Sequence, residues 1–152
     1  VKRWWPDVPY WRLWKAQLYQ ESRLDPAAVS PAGARGLAQF MPGTWRDMTR
    51  ELAFEGSPHD DVAIDAGAYY MAKLRRIWAA ERTTLQRHEL AQASYNAGAG
   101  NILKAQKLCG DARLWPAVRM CLADVTGAKN ARETTTYVER IARWWRALEL
   151  AA

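Results

Sequence analysis

The run DVAIDAGAYYMAKLRRIWAA, residues 61–80, decides the fold class. Ile64, Ala68, Met71, Leu74 and Trp78 fall three or four residues apart, the spacing that stacks side chains on one helix face. Ser57-Pro58-His59-Asp60 just before them reads as a turn and cap, so a long amphipathic helix is expected from about Asp61 to Ala80. Outward from this run the same spacing recurs nearly everywhere. No sustained apolar–polar alternation marks a half-buried strand, and the expected class is all-α.

Upstream, Tyr10 to Ser22 places Trp14, Leu18 and Glu21 on one stripe, and Asp25-Pro26 ends that helix. Pro31, Gly33, Gly36, Pro42 and Gly43 then enclose the short apolar piece Leu37 to Met41, the text of a loop, and Thr44 is expected to cap a short helix to about Leu52. Downstream, Arg87 to Tyr95 is helical. Asn96-Ala97-Gly98-Ala99-Gly100 forces a backbone turn, and Ile102 to Leu108 resumes. Gly110, Pro116 and Gly127 break weak patterns between Cys109 and Arg132, giving short helices and loops. Thr134 is expected to cap a last helix from about Thr135 to Leu150, with Val138, Ile141, Trp145 and Leu148 inward.

No repeat, low-complexity tract or linker divides the 152 residues, which fit a single domain over 1–152. A chain of this length buries roughly 68 to 70% of its unfolded surface, so no metal or disulfide framework is required for folding. The net charge of +6, from 22 basic against 16 acidic residues, favours an anionic partner such as nucleic acid, anionic lipid or an acidic wall polymer, without choosing among them. No stretch approaches the roughly 18 apolar residues of a membrane span, and the first residues lack the purely apolar centre of a signal peptide. Val1 in place of Met suggests a processed or trimmed start.

Cys109 and Cys121 match no zinc or redox motif. They form either a disulfide, worth about 3 kcal/mol by loop entropy and implying an oxidising compartment, or two free thiols. His59 and His88 stand apart from any ligand or nucleophile pattern and read as capping or surface residues, so neither a metal nor a cofactor is expected. Nine Trp against two Phe signal an aromatic core or sugar-stacking platforms. Trp14, Trp78 and Trp145 lie on core faces, whereas Trp4, Trp5, Trp11, Trp45, Trp115 and Trp144 either stack on sugars or pack.

Glu21 lies one turn beyond Leu18 and two beyond Trp14, at the edge of an apolar surface near a helix end. Desolvation there raises a carboxyl's pKa and keeps it protonated, as a general acid requires. The same spacing allows a solvated Glu paired with Arg23 or Lys15, and periodicity alone does not separate the two.

Four blocks bear on that choice. Gln20-Glu21-Ser22 is followed by Ser30-Pro31-Ala32-Gly33-Ala34-Arg35-Gly36-Leu37-Ala38-Gln39-Phe40-Met41-Pro42-Gly43-Thr44, then by Ala93-Ser94-Tyr95-Asn96-Ala97-Gly98, then by Glu133-Thr134 with Tyr137-Val138. In this order they resemble the soluble lytic transglycosylase catalytic domain, whose close structural relatives are the goose-type lysozymes. The resemblance spans residues 20–138 and implies a lysozyme-like helical domain with a substrate cleft. It implies cleavage of the MurNAc-β-1,4-GlcNAc bond of peptidoglycan, with Glu21 as the single general acid and base.

Ser30 matches a loop serine that contacts substrate near the scissile bond, and Gln39 and Met41 match residues lining the cleft. Tyr95 matches a tyrosine directed at the acid, Asn96 is a structural residue that also reaches substrate, and Glu133 and Tyr137 match sugar-binding positions. Plainer readings stand beside these: a turn-forming hydroxyl for Ser30, a loop-tying amide for Gln39, core packing for Met41, a buried ring for Tyr95, and first-turn dipole compensation for Glu133.

The resemblance further implies substrate assistance. The muramic acid N-acetyl group stabilises the developing cation and the same sugar's 6-hydroxyl attacks, giving a 1,6-anhydro end without water. The second carboxylate of ordinary glycosidases has no evident counterpart, because Asp25, Asp47, Asp61 and Asp65 fall at caps, turns or helix faces. Ala38 stands where many members carry Met, which is expected to reshape a sugar subsite.

The competing readings are hydrolysis by a water nucleophile, an inactive wall-binding module, and a nucleic-acid binder, the last lacking a recognition-helix signature. The expected partner is therefore the peptidoglycan glycan strand, with no nucleic acid and no transmembrane segment, met by a monomer in the periplasm or cell wall. Host wall turnover, a secretion apparatus and a phage are all compatible settings.

Overall fold

A computed structural model describes residues 1–6 and 11–151. The helices are α1 (Trp11–Ser22), α2 (Pro42–Leu52), α3 (Val62–Ile77), α4 (Thr84–Ala97), α5 (Ala99–Leu108), α6 (Trp115–Val118), α7 (Leu122–Thr126) and α8 (Ala128–Leu150), with a 3-10 turn at Arg119–Cys121. Among the described residues extended pairing is confined to two isolated bridges, Val29–Arg35 and Arg35–Phe40, so the chain is all-α as its periodicity implies. No described helix is long and apolar enough to cross a membrane. Tyr10, the expected start of the first helix, lies outside the described residues. The chain divides into two compact units, Val1–Tyr70 with Ile141–Ala152, and Met71–Arg140.

In the first unit, indole rings pack on small residues. Trp5 and Trp14 meet edge to face with centroids 5.8 Å apart, and their Nε1 groups donate to Ala68 O (2.8 Å) and Ile64 O (3.2 Å) on α3. α3 admits them because it presents Ala63, Ala66, Gly67 and Ala68; a Cβ on Gly67 would come within 2.6 Å of the Trp14 ring. Of the two readings open for Trp5, packing holds, since it is fully buried, whereas Ile64, expected to face inward, turns outward at 36% exposure because small residues face the rings instead.

α2 also begins earlier than expected. Pro42 occupies its first turn, where the missing N–H costs nothing, and Met41 is the N-cap, leaving Thr44 inside the helix. The half-buried Trp45 packs edge-on to Phe54 and donates to Gly56 O at 3.3 Å, while Trp4 donates to Asp65 Oδ1 at 2.9 Å. Trp11 remains half exposed.

The second unit is built around Met71, Leu74, Trp78, Leu90, Ile102, Trp115, Val118 and Leu122, all buried. Trp78 Nε1 donates to Ser94 Oγ at 3.1 Å, and that hydroxyl donates to Leu90 O at 2.7 Å. α4 starts ahead of Arg87 because Thr83 and Gln86 form a capping box, each side chain serving the other's backbone N–H. Its break from α5 falls at Gly98, φ +86°.

His88 corrects the surface reading: it is 1% exposed, on the buried α4 face that carries Ala91 and Gln92 three and four residues on. Trp115 is core, the packing alternative of its two readings. Cys109 and Cys121 are joined in a disulfide with Cα atoms 5.7 Å apart, clamping the segment of α6 and the 3-10 turn, a closure worth about 3 kcal/mol. The segment 109–132 does consist of short helices and turns, except that α8 already begins at Ala128. Thr134 is therefore interior to α8 and not its cap. Along α8, Val138 and Ile141 are buried whereas Trp145 and Leu148 are only half-buried.

Candidate active site

Glu21 is the penultimate residue of α1, half-buried, beside the buried Leu18 and Ser22. The helix stops there because Arg23 and Leu24 both adopt left-handed backbone, φ +59° and +62°, a conformation costing an L-residue about 1 kcal/mol or more. Asp25 completes the reversal, its carboxylate accepting from Ala27 N at 2.8 Å. Ser22 then fastens the following loop to the helix end: its hydroxyl lies 2.9 Å from Leu37 O and 3.2 Å from Leu18 O. Removing it leaves a buried carbonyl short of a donor. Ser22→Ala is expected to lower stability by roughly 1–3 kcal/mol and to depress any Glu21-dependent activity, read by thermal melting and turnover on one preparation.

The loop is a tight construction. Ser30 N donates to Ala34 O (2.9 Å) and Ala34 N donates to Ser30 Oγ (3.0 Å), so the Ser30 hydroxyl shapes the turn. Arg35 and Phe40 exchange backbone bonds at 3.0 Å each way. Gln39, itself left-handed at φ +49°, donates Nε2 to Gly36 O (2.9 Å) and Ala28 O (3.3 Å), which is the loop-tying role. Met41 is 45% exposed, so core packing is not its function. Ala38 is fully buried, packed 3.1 Å from the Cβ position of Gly67, and does not line an open subsite.

Beside the α1 terminus, Trp144 Nε1 donates to Gln20 Oε1 at 3.1 Å and stands edge-on to Tyr19, with the Arg23 guanidinium over both rings at 4.8 and 5.2 Å. Lys15, Tyr19, Leu24, Trp144, Ala147 and Leu148 line an apolar pocket of about 310 Å³ there. Of that lining, Trp144, Leu148 and Lys15 carried a signal in the sequence, whereas Tyr19, Leu24 and Ala147 did not.

The other expected residues belong to the second unit. Tyr95 is half-buried near the end of α4, and Asn96 is exposed. Asn96 Oδ1 accepts from the Thr134 hydroxyl at 2.8 Å, which joins the Asn-Ala-Gly block to α8. A polar pocket of about 260 Å³ is lined by Asn96, Asn101, Thr126, Asn130, Glu133 and Thr134. Glu133 is exposed and sits past the first turn of α8, so dipole compensation does not account for it. Tyr137 is buried at 5% exposure and stands outside that lining. Asn130 was missed because α8 was expected to start later, whereas Asn101 on α5 and Thr126 on α7 carried no signal in the sequence. From Ala128, positions 130, 133, 134 and 137 fall on one face.

Three of the four aspartates at caps, turns and helix faces have partners for their side chains. Asp25 makes its turn, Asp65 accepts from Trp4, and Asp47 lies 3.9 Å from Arg50. Glu89 on α4 differs: burial pushes its carboxyl pKa up. A carboxyl that holds its proton more tightly when folded contributes stability below its unfolded pKa and loses it as pH rises through the folded value. Glu89→Gln is therefore expected to raise the melting temperature at neutral pH and to give no gain near pH 4, roughly the unfolded carboxyl value.

The Transglycosylase SLT domain family matches residues 10–116. The membrane-bound lytic murein transglycosylase F of Desulfosudis oleivorans is 32% identical over 91% of this chain and 33% of its own length, and that of Vibrio parahaemolyticus is 30% identical over 91% and 28%. The chain thus spans about a third of these relatives. Among solved structures, an inactive mutant of lytic transglycosylase Slt from Pseudomonas aeruginosa superposes with TM-score 0.68 at 27% identity, over 88% of this chain and 20% of that one. The 70 kDa soluble lytic transglycosylase of Escherichia coli shares the fold, with TM-score 0.72 at 23% identity over 97% and 24%. With its family pattern matched over most of its length, the chain belongs to the transglycosylase SLT domain family.

Proposed function

We propose that this chain is a lytic transglycosylase domain that cleaves the MurNAc-β-1,4-GlcNAc bond of murein without water, leaving 1,6-anhydroMurNAc ends. The observation that carries the reading is Glu21, half-buried on the last turn of α1 with the Ser30–Phe40 loop tied to its neighbour Ser22. Glu21 protonates the leaving glycosidic oxygen, then takes the proton from the 6-hydroxyl as that oxygen attacks the anomeric carbon. The muramic N-acetyl group stabilises the cationic stage, so one carboxyl suffices where ordinary glycosidases use two. The structural employment of Asp25 and Asp65 supports this division of labour.

Ser30, Gln39 and Met41 in the first unit and Tyr95, Asn96, Glu133 and Tyr137 in the second are the substrate-binding residues of this reading, within one catalytic domain over 1–152. Exposed Met41 and the polar pocket shared by Asn96 and Glu133 favour direct contact. The bonded Ser30 and Gln39 act at least in part by shaping the loop. The enzyme works as a monomer on glycan strands in the periplasm or cell wall, the place of action that fits its murein-cleaving relatives. Digestion of purified murein followed by mass spectrometry tests the assignment: soluble muropeptides with anhydro ends are expected, and murein left intact by the folded protein would refute it.

A further inference from the structure

The turn between α3 and α4 gathers arginines without a carboxylate against them. Arg82 Nε donates to Arg113 O at 2.6 Å, and Arg113 Nη2 donates to Glu81 O at 2.8 Å, so each guanidinium is pinned to the main chain beside the other. The Arg82 guanidinium also lies 5.7 Å over the Trp78 ring. A pocket of about 600 Å³ opens there, lined by Glu81, Arg82, Thr83, Gln86, Arg113 and Leu114.

Three features make this more than a solvated charge run. Neither Arg82 nor Arg113 has an ion pair among the described residues, Glu81 offering its main-chain oxygen to Arg113. Arg87 stands behind them with Nε sealed from solvent and no acceptor among the described residues. Burial, followed by repulsion from Arg113 and Arg87, pushes the Arg82 pKa down, the mark of positive charge held together without relief.

Arg82 Nη1 also lies 3.5 Å from both Trp78 O and Ala80 O, so the groups left to meet a planar oxyanion are chiefly Nη2 of Arg82 with Nε and Nη1 of Arg113. Main-chain anchoring fixes the two guanidiniums in advance, so little conformational freedom is lost on binding. The capping box already engages Thr83 N and Gln86 N, which leaves recognition to the guanidiniums and not to the helix terminus. Leu114, 40% exposed at the rim, provides an apolar contact for a chain carrying the anion, which favours a peptide carboxylate over a bare inorganic ion.

We propose that Arg82 and Arg113 form a binding site for the carboxylates of an acidic peptide, at the opposite end of α4 from Asn96 and about 20 Å along the helix from it. Resting on the murein reading above for the identity of its carrier, the site takes the peptide stems attached to the glycan strand.

Isothermal titration with a short sugar-free peptide bearing three free carboxylates tests it. Binding is expected, weakened at least about tenfold by the double substitution Arg82→Gln with Arg113→Gln and abolished when the peptide's carboxylates are amidated. Binding that survives the double substitution or amidation would overturn the site, as would tighter binding of inorganic phosphate than of the peptide. Should the double variant not fold, peptide-induced shifts of the Arg82 and Arg113 Nε–H resonances in the unsubstituted protein decide, and their absence overturns it. No glycan is cleaved in this assay, so failure of the transglycosylase reading leaves its outcome untouched, and the reverse.

Discussion

Glu21→Gln is expected to abolish murein cleavage while leaving the fold intact. The substitution keeps the shape of the side chain and removes its ability to give and take a proton. General acid–base catalysis contributes roughly a hundred- to ten-thousandfold, and a single group serving both half-reactions places the loss at the upper end. Stability should change by about 1 kcal/mol or less, because Gln keeps the size of the side chain and one acceptor oxygen. Glu21→Asp separates chemistry from position: it retains the acid but draws it back by one methylene, and intermediate turnover is expected. Release of muropeptides by the folded Gln variant at the original rate would remove Glu21 from the mechanism.

The second large effect is structural. Gly36 has φ +75°, and a Cβ built there falls 1.7 Å from Pro58 O and 2.5 Å from Pro58 C, main-chain atoms that cannot swing aside. Gly36→Ala is therefore expected to cost about 3 kcal/mol or more, by strain and forced displacement together. Gly33 supplies the comparison. Its φ is +88° with nothing within 4 Å of a Cβ, so Gly33→Ala bears only the backbone penalty of about 1 kcal/mol. Chemical denaturation of both variants measures the difference; equal destabilisation would mean that the loop and the Pro58 segment yield together. Because Gly36 lies in the loop tied to Ser22, its substitution should also lower turnover more than melting alone accounts for.

Much of this was legible in the sequence, for identifiable reasons. Helical spacing in residues 61–80 announced the all-α class, and Asn96 to Gly100 announced the break that the structure places at Gly98. The end of α1 at Ser22 came from the Asp-Pro pair that follows. What escaped was set by partners distant in the chain. Ile64 has the right spacing to face inward, but Trp5 and Trp14 need flat neighbours and select the Ala-Gly surface of α3 instead. Hydroxyl residues misled at helix starts: Pro42 begins α2 ahead of Thr44, and α8 already contains Thr134. That early start of α8 hid Asn130 as a neighbour of Glu133 in the polar pocket. Nothing in the ligand spacing around His88 points inward, and its place on the buried face of α4 decides its surroundings.

The central claim is that Glu21 activates a hydroxyl of the substrate and not a water. Digestion of purified murein in water enriched in heavy oxygen, followed by mass spectrometry of the released muropeptides, examines it directly. Products one water lighter than reducing-end muropeptides and free of heavy oxygen are expected. Heavy oxygen incorporated at the newly formed reducing ends would show hydrolysis and contradict the account.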